Sequence, residues 1–387
     1  MFKSVVPFSL LALSLAACGG SSQSKLDGHY EEANASAMES YRGEQTVPAE
    51  YAPTLGVIVS QPLLQSFGRE DLVKAIVDAG ASTVWIVVPR NSGESLQSSS
   101  FSSLRQTLGS SVNKVQLLSQ KDSGGLTVWA RDWSPLGALA QNGELRLLDL
   151  NYYPDRPADD ATGRAFAGFK NVSRVSVPVY NEGGNFMTNS QGYCLMTTRV
   201  TDANASPSFP GDLVLDAEDV SGYYQGFAGC RQVHIFPRMP TERTGHIDMW
   251  GKFLNDSTVI VNQISDETLA TASGGDRAFA QKIQSFLEAR AADVSGLGFK
   301  VVRIPMPLPR PGFFRSYTNS LLVNGTAIIP EYAASSSDAD LVEGYQAAVQ
   351  KTYSDLGYKT KFISSDELIR NGGAIHCVTM QIPVPRS

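Results

Sequence analysis

Three stretches of the chain repeat one pattern, an apolar strand followed by an amphipathic helix and a second apolar strand. The first repeat reads LGVIVS, DLVKAIVDAG and TVWIVV, and Leu72, Ile76 and Val77 lie on one face of its helix. Gly80 fits the end of that helix, and a β-branched run follows it. The second repeat is STVIVNQI, RAFAQKIQSFLEARA and FKVVRIPM, and the third is TAIIPEY, LVEGYQAAVQKTYSDLG and YKTKFIS. These repeats predict either a doubly wound sheet or a pseudo-symmetric ring of small units.

Between the repeats lie further strand-rich segments, ELRLLDLNY, SRVSVPV and GYCLMTTRV, and no change of composition marks a second domain. The chain has 387 residues, of which 42% are hydrophobic and 18% charged, enough to bury one large core or two modest ones. Its formal net charge of -6 argues against nucleic acid as the main partner. The same charge is compatible with a cationic substrate.

The first residues are typical of an export signal. Lys3 precedes a short apolar stretch, which is too short to remain in a bilayer as a spanning helix. The ending LAAC resembles a bacterial lipoprotein signal, in which cleavage exposes a cysteine, here Cys18, that carries acyl chains. We therefore expect a lipoprotein signal peptide over 1–17, a tether over 18–54 after the lipidated Cys18, and one folded domain over 55–387. The tether is rich in Ser, Gly, Glu and Ala and has no apolar period.

This signal predicts that the protein lies in the bacterial cell envelope, held on a membrane by the lipid on Cys18. Gly19 after that cysteine resembles the signal for sorting to the outer membrane; a simple secretory signal and a secreted protein are the alternative. Outside the cytoplasm, Cys194 and Cys230 could pair as a disulfide. Two separately buried thiols are an equally good interpretation of the sequence.

Four stretches carry polar or reactive side chains within apolar surroundings. TVWARDWSP contains Arg131 and Asp132, NEGGNFM has a glycine pair that lets the backbone approach a neighbour, and GGAIHCVTMQIP contains Cys377. GHIDMWGKF contains His246 and Asp248 two residues apart, which in a strand puts both side chains on one face. Singly, each has an ordinary structural interpretation: a surface ion pair, a turn, a polar patch or a small buried hydrophobe.

Together the four stretches supply a cysteine, a histidine and two aspartates. A thiol protease would use the cysteine and the histidine but has no evident use for a second carboxylate. A guanidinium is different, because its planar N–H donors and permanent charge suit carboxylates along its edges. Its central carbon then stays open to a thiolate, and a histidine can protonate departing ammonia and activate water. A zinc site is disfavoured because no CxxC or HExxH spacing is present.

In this order, the stretches resemble the agmatine deiminase and bacterial-type peptidylarginine deiminase family. WARDWSP is similar to the family's Trp-x-Arg-Asp segment, EGGNF to its Glu-Gly-Gly turn, and GHIDMWGKF to its His-x-Asp strand. SYTNSLLVNGTAIIPEY is similar to its Asn-bearing strand, and GGAIHCVTMQIP to its terminal Gly-Gly-x-x-His-Cys. The matches extend from about Leu55 to Pro383.

The resemblance implies an α/β pentein fold, a five-bladed β/α propeller with pseudo-five-fold symmetry, and a deiminase catalytic domain over 55–387. It implies that Cys377 is the nucleophile, that His246 is the general acid and base, and that Asp132 and Asp248 clamp the guanidinium. The implied reaction expels ammonia, forms a covalent thiouronium and releases a ureido product with water. It uses no metal and no organic cofactor.

The resemblance also implies a substrate site. Arg156, in NYYPDRPADD, matches the residue with which the peptidylarginine branch grips a substrate carboxylate, although Pro154 stands where that branch carries a second arginine. Trp129, Glu182 and Asn319 lie in the matched stretches and are expected to contact the substrate. The expected activity converts peptidyl-arginine in a peptide or protein to peptidyl-citrulline. The alternatives are agmatine deimination to N-carbamoylputrescine and a surface lipoprotein that binds cationic ligands without turnover.

Overall fold

The three sequence repeats form strand–helix–strand units in the computed structural model, which describes residues 30–32, 42–122, 124–206, 212–333 and 339–386. The first unit consists of Thr54–Ser60, the helix Glu70–Asp78 and Thr83–Val88. The second consists of Thr258–Gln263, the helix Gly274–Gly296 and Lys300–Pro305. The third consists of Thr326–Glu331, the helix Ala339–Asp355 and Lys359–Ser364. The predicted order of strands and helices is therefore confirmed in all three.

The described strands, numbered in chain order, are β1 Tyr30–Glu32, β2 Gln45–Thr46, β3 Thr54–Ser60, β4 Thr83–Val88, β5 Val115–Ser119, β6 Leu136–Ala140, β7 Leu145–Asn151, β8 Ser173–Tyr180, β9 Met187–Thr188, β10 Tyr193–Thr197, β11 Gln232–Phe236, β12 Gly251–Asn255, β13 Thr258–Gln263, β14 Lys300–Pro305, β15 Leu321–Val323, β16 Thr326–Glu331, β17 Lys359–Ser364 and β18 Met380–Pro383. The further α-helices are Gln61–Gln65, Ser102–Leu108, Ala130–Trp133, Pro157–Asp160, Thr162–Lys170, Arg199–Asn204, Ala217–Phe227, Asp266–Ala270 and Asp366–Arg370. Single 3₁₀ segments cover Ser99–Phe101, Gly109–Lys114, Gly183–Asn185 and Ile247–Met249.

Four of the five sheets contain the same arrangement, an antiparallel pair followed by a helical crossover to a parallel strand. These sets are β6–β7–β8, β9–β10–β11, β12–β13–β14 and β15–β16–β17. A parallel neighbour needs a long crossover, which explains why a helix separates the last two strands of each set. The structure therefore follows the predicted ring of small units and not the doubly wound sheet.

The fifth sheet joins distant parts of the chain. Its order is β18–β3–β4–β5, and β18 runs antiparallel to β3 with Met380 opposite Ile58. Ile382 pairs with Gly56, where a side chain has no room because a Cβ would lie 2.4 Å from the carbonyl oxygen of Thr83. Strand β18 thus takes the place that the leading antiparallel strand occupies in the other four sheets.

The helices cover the sheets with narrow apolar faces. In Gly274–Gly296 the buried residues follow one another at intervals of three or four, as one face of a helix requires: Ala280, Ile283, Leu287, Ala291 and Val294. Burying each larger aliphatic side chain of this kind contributes about 1.5–3 kcal/mol. The helix is thereby held on β13 and β14, and the loops between sheets are left to carry polar groups.

The folded domain begins earlier than the sequence predicted. Residues 42–54, expected to form the end of the tether, pack on the domain: β2 pairs with β6, and Gln45 donates to the carbonyl of Phe227 at 2.9 Å. Ala49 is buried, and β1 runs parallel to β8. The boundary at 55 was wrong because this segment is held by backbone pairing and polar side chains, which leave no apolar period in the sequence.

The predicted signal peptide over 1–17 and the lipidation site Cys18 lie outside the described residues. Within the described part of the chain, no helix has both the length and the apolar character needed to cross a membrane. Cys194 and Cys230 form a disulfide with their Cα atoms 5.7 Å apart, so the first of the two sequence interpretations is confirmed.

Candidate active site

The turn before the leading strand of each sheet contributes to one cluster of side chains. Asp132 lies in the short helix before β6, Glu182 precedes the 3₁₀ turn before β9, His246 and Asp248 lie at the turn before β12, Asn319 precedes β15, and Cys377 precedes β18. The repeated architecture explains why residues so distant in sequence meet. It places equivalent turns of all five units at the same end of the ring.

His246 and Asp248 are not on a strand, as the sequence had suggested. His246 precedes the 3₁₀ segment Ile247–Met249, in which the Trp250 amide donates to the Ile247 carbonyl at 3.1 Å, and β12 begins only at Gly251. The turn nevertheless brings both side chains into the cluster. The conclusion from the spacing was right although its structural reason was wrong.

Gly184 lies at the centre of the cluster. A Cβ at this position would lie 2.6 Å from Nδ1 of His246, 2.9 Å from Oδ1 of Asp132 and 3.0 Å from Oδ2 of Asp248. Its backbone N–H donates to Oδ1 of Asp132 at 3.1 Å. The glycine pair of the sequence thus allows the backbone to approach three of the predicted groups.

Cys377 is 1% exposed, and its environment keeps the thiol protonated. Burial raises its pKa well above the usual value, and the carboxylates of Asp248 and Asp132 raise it further. Oδ2 of Asp248 lies 3.7 Å from the sulfur, while Nδ2 of Asn319 donates to the sulfur at 3.2 Å. In the absence of a cation, the resting group is a thiol with an amide donor already in place.

His246 lies between two carboxylates. Its Nδ1 is 3.7 Å from Oδ1 of Asp132, and its Nε2 is 3.6 Å from Oε2 of Glu182. Burial would lower the pKa of this imidazole, but Asp132 and Glu182 outweigh burial and raise it to about 10. His246 is therefore an imidazolium at neutral pH and can supply a proton.

Asp132 and Asp248 belong to the same cluster, but their pKa values are shifted in opposite directions. Burial raises the pKa of Asp132 to about 7, and the charges of Glu182 and Asp248 add to the rise while His246 opposes it. Burial also opposes ionisation of Asp248, yet the hydrogen bond from His376 lowers the pKa of Asp248 below its usual value. Oδ1 of Asp248 is buried and has no hydrogen-bond partner among the described residues, so an ionised acceptor is left open.

The two polar residues beside the glycine pair have separate roles in the packing. Burial opposes ionisation of Glu182, but His246 and then Arg199 lower its pKa to about 2. Asn185 is buried, and its Oδ1 accepts the backbone N–H of Thr197 at 3.0 Å. Glu182 therefore contributes a charged side chain to the wall of the site, whereas Asn185 stabilises the turn that carries Glu182.

A pocket of about 150 Å³ opens onto the cluster, and its wall is formed by Trp129, Asp132, Tyr152, Tyr153, Arg156, Glu182, Arg243, Thr244, His246, Asn371, Gly372 and Cys377. Of the sequence-predicted site residues that the structure describes, all except Asp248 and Asn319 line it; these two contact Cys377 directly. Arg156 donates to the hydroxyl of Tyr152 at 3.2 Å, and its guanidinium lies 4.9 Å from the centre of the Tyr153 ring.

Sequence reasoning missed several charged residues around this pocket. Arg243 is exposed at the pocket wall and makes no hydrogen bond or ion pair within the described part of the chain. Arg131, which had an ordinary interpretation as a surface ion pair, is instead 3% exposed; its Nε donates to the His376 carbonyl at 3.3 Å. His376 stood beside Cys377 in a quoted stretch, but nothing in the sequence showed which way its ring points.

The fold and the site define a class of protein, a pentein hydrolase that acts on the C–N bonds of linear amidines. The model of the Porphyromonas-type peptidyl-arginine deiminase family matches residues 61–383, and the chain belongs to this family. The predicted family membership and pentein fold are thus confirmed.

Individual relatives and structures agree with this assignment. A protein of Vibrio parahaemolyticus, provisionally named an agmatine deiminase, is 23% identical over 369 residues, which cover 87% of this chain and 96% of that protein. The agmatine deiminase of Medicago truncatula is 22% identical over 265 residues, covering 61% of this chain and 66% of its own. The solved agmatine deiminase of Enterococcus faecalis has a TM-score of 0.68 at 18% identity, covering 89% of this chain and 98% of its own. That of C. jejuni has a TM-score of 0.67 at 16% identity, covering 89% and 97%.

Proposed function

We propose that the protein hydrolyses a guanidinium to a ureido group and ammonia, with Cys377 as the nucleophile. One observation carries this proposal: Oδ1 of Asp248 is a buried acceptor without a partner, on the residue whose Oδ2 lies 3.7 Å from the Cys377 sulfur. A guanidinium supplies planar N–H donors and the charge that an ionised buried acceptor requires. Asp132 also lies beside Gly184, with its Oδ1 2.9 Å from the place of an added Cβ, and completes the clamp.

The groups can carry out the reaction in two steps. The bound cation lowers the pKa of Cys377, the thiol loses its proton to solvent, and the sulfur forms a bond to the guanidinium carbon. His246 then donates its proton to one nitrogen, the C–N bond breaks and ammonia leaves a thiouronium on the enzyme. His246 next accepts a proton from water, the hydroxide attacks the carbon, and the C–S bond breaks. The remaining water proton passes to solvent, where the released ammonia becomes ammonium; the sulfur regains a proton from solvent, and His246 is again an imidazolium.

The test is ammonia release by purified protein and by Cys377→Ala. Wild type should release ammonia from a guanidinium substrate, and intact-mass measurement during turnover should detect a covalent adduct on Cys377. The variant should form neither product nor adduct while remaining folded by circular dichroism. Ammonia release by Cys377→Ala at the wild-type rate would refute the proposal.

Agmatine is the substrate that the names of the relatives support, since curated and solved relatives alike are named agmatine deiminases. A second candidate is favoured by two cations at the pocket wall, Arg156 and Arg243. They would repel the distal ammonium of agmatine and attract the carboxylate of an arginine with a free C-terminus. Turnover of agmatine, free arginine, a peptide with internal arginine and one with C-terminal arginine should be compared side by side.

The variant Arg156→Ala separates these substrates. If a carboxylate is bound, the variant should lower kcat/KM for C-terminal arginine by about 10–100-fold, since a charged hydrogen bond is worth about 1.5–3 kcal/mol. It should leave agmatine turnover unchanged or raised. Arg290→Ala, on the outer helix Gly274–Gly296, is the matched control. Efficient turnover of agmatine alone by wild type would assign the protein to polyamine metabolism and remove the second candidate.

We also propose that acylation of Cys18 holds the protein on a bacterial membrane, which the LAAC ending supports. Full-length protein should enter the membrane fraction and take up labelled fatty acid. Cys18→Ser should lose the label, and label retained by this variant would contradict anchoring through Cys18.

A further inference from the structure

A row of hydrogen-bonded polar side chains connects Asp248 to the N-terminal segment of the domain. Nδ1 of His376 lies 2.7 Å from Oδ2 of Asp248, and Nε2 of His376 lies 2.9 Å from Oε2 of Glu50. Nζ of Lys252 donates to the same oxygen of Glu50 at 2.7 Å. The other oxygen of Glu50 accepts the backbone N–H of Leu322 at 2.8 Å. Glu50 is therefore fixed at both oxygens.

The two carboxylates of this row, Glu50 and Asp248, are both ionised. Burial opposes ionisation of Glu50, but Lys252 and His376 lower its pKa well below the usual value. The pKa of Asp248 is lowered as well, so His376 stands between two ionised carboxylates. Nδ1 of the His376 ring contacts Asp248 and Nε2 contacts Glu50, so the ring bridges the two carboxylates. Lys252 and Arg131 are the cations that act on both carboxylates.

The row determines which oxygen of Asp248 is open. His376 holds Oδ2, and this hydrogen bond fixes the plane of the carboxylate with Oδ1 unpartnered. The His376 ring is in turn fixed by Glu50, because a ring held at one nitrogen alone can tilt. Glu50 does not line the Cys377 pocket, and its direct chain of hydrogen bonds to Asp248 runs through His376.

We propose that Glu50 is a positioning residue for guanidinium deimination, acting through His376 to aim the open oxygen of Asp248 at the substrate. This inference rests on the proposed function. It gives residues 42–54, which the sequence placed in a tether, a part in the active site. The segment before β3 thereby completes a site whose other residues lie in the turns of the five sheets.

The first test compares Glu50→Gln with Glu44→Gln. Both make the same chemical change in the same segment, but the Glu44 side chain is exposed and has no hydrogen bond with a described residue. In Glu50→Gln the amide cannot accept from His376, Lys252 and Leu322 at once. Its kcat/KM should fall about 100-fold, the size of effect that follows from a small misplacement of a reacting group. Glu44→Gln should match wild type, and an unchanged kcat/KM in Glu50→Gln would overturn the inference.

A double-mutant cycle with His376→Asn separates positioning from a general contribution to folding. If Glu50 acts through His376, Glu50→Gln should cause no further loss in the His376→Asn background. A loss of equal fold-size in both backgrounds would show an independent structural effect and overturn the inference. Glu50→Asp, which keeps the charge but reaches less far, serves in the same cycle if Glu50→Gln does not fold.

A spectroscopic measurement tests the row without any substrate. The strongly hydrogen-bonded ring protons of His376 should give low-field proton resonances in wild type and Glu44→Gln, absent in His376→Asn. The resonance of the Nε2 proton should be lost or shifted in Glu50→Gln, and an unchanged spectrum would contradict the inference. Failure of wild type to deiminate any guanidinium would instead refute the proposed function, so the two failures are distinguishable.

Discussion

The amide of Asn319 holds the loop of Cys377 with one atom and contacts its sulfur with the other. Oδ1 accepts the backbone N–H groups of Ala374 at 3.1 Å and of His376 at 3.2 Å, and Nδ2 donates to Sγ at 3.2 Å. A single side chain therefore fixes the position of the proposed nucleophile and provides a donor for its sulfur. Both effects depend on the orientation of one amide plane.

Asn319→Ala should consequently lower both stability and activity. It removes the acceptor of the buried backbone N–H groups of Ala374 and Cys377, while the N–H of His376 keeps the backbone carbonyl of residue 319 at 3.1 Å. The free energy of unfolding should therefore fall by about 1–3 kcal/mol in urea titrations. Ammonia release should also slow, because the sulfur loses its donor. The control is Asn142→Ala, which removes an exposed turn contact to the Glu144 amide. Wild-type stability in Asn319→Ala would contradict this account of the loop.

Gly184→Ala should lower activity sharply while the protein still folds. The added methyl would meet His246, Asp132 and Asp248 at 3.0 Å or less, so at least one of these groups must move. A shift of this size should cost about 100-fold in kcat/KM. Gly344→Ala makes the same change on the exposed side of an outer helix, where nothing lies within 4 Å of the new Cβ. It should match wild type in activity and be slightly more stable. Equal activity of the two variants would refute the crowding argument.

The pH dependence should have an alkaline maximum. Attack needs the Cys377 thiolate, whose pKa burial and neighbouring carboxylates raise well above the usual value. Departure of ammonia needs the His246 imidazolium, which is kept up to its pKa of about 10. Raising the pH from neutral therefore increases the reactive fraction, and kcat/KM should rise until His246 loses its proton at about 10. The measurement is kcat/KM against pH with folding checked at each point. A maximum at neutral pH would contradict the raised pKa of the thiol.

Reduction of the Cys194–Cys230 disulfide should destabilise the protein without removing its reactive thiol. The bridge connects β10 to the residues just before β11, and losing such a bridge costs about 2–5 kcal/mol. Denaturant titration with and without reductant measures this cost. Cys194→Ala with Cys230→Ala should reproduce the destabilisation and retain ammonia release under conditions where the variant is folded. Loss of turnover by a folded double variant would contradict this prediction and show that the reaction itself needs the disulfide.

Much of the architecture was predictable because packing follows periodicity. Strand β4 and the helix Glu70–Asp78 show their apolar patterns directly in the sequence, and the structure places both as expected. The cluster around Cys377 was recognisable from residue types, since a thiol with an imidazole and two carboxylates has few chemical uses. Neither inference depended on the backbone conformation of the turns.

The remainder depended on contacts that have no local pattern. The turn at His246 and Asp248 could not be told from a strand, because spacing alone does not specify backbone conformation. Glu50 occurs in a polar segment whose burial follows from distant partners, Lys252 and His376, 202 and 326 residues away. Arg243 lies at the pocket wall only because the loop before β12 brings it there. Long-range electrostatics of this kind become visible only after folding.

The pairing of β18 with β3 also has a consequence for biosynthesis. The chain is synthesised from its N-terminus, so β3 has no antiparallel partner until the four other units have been made. Cys377 is the last of the clustered side chains to leave the ribosome. A growing chain that already has both aspartates and the histidine therefore has no reactive sulfur. The reaction proposed for Cys377 can therefore begin only after the last strand has docked on the first sheet.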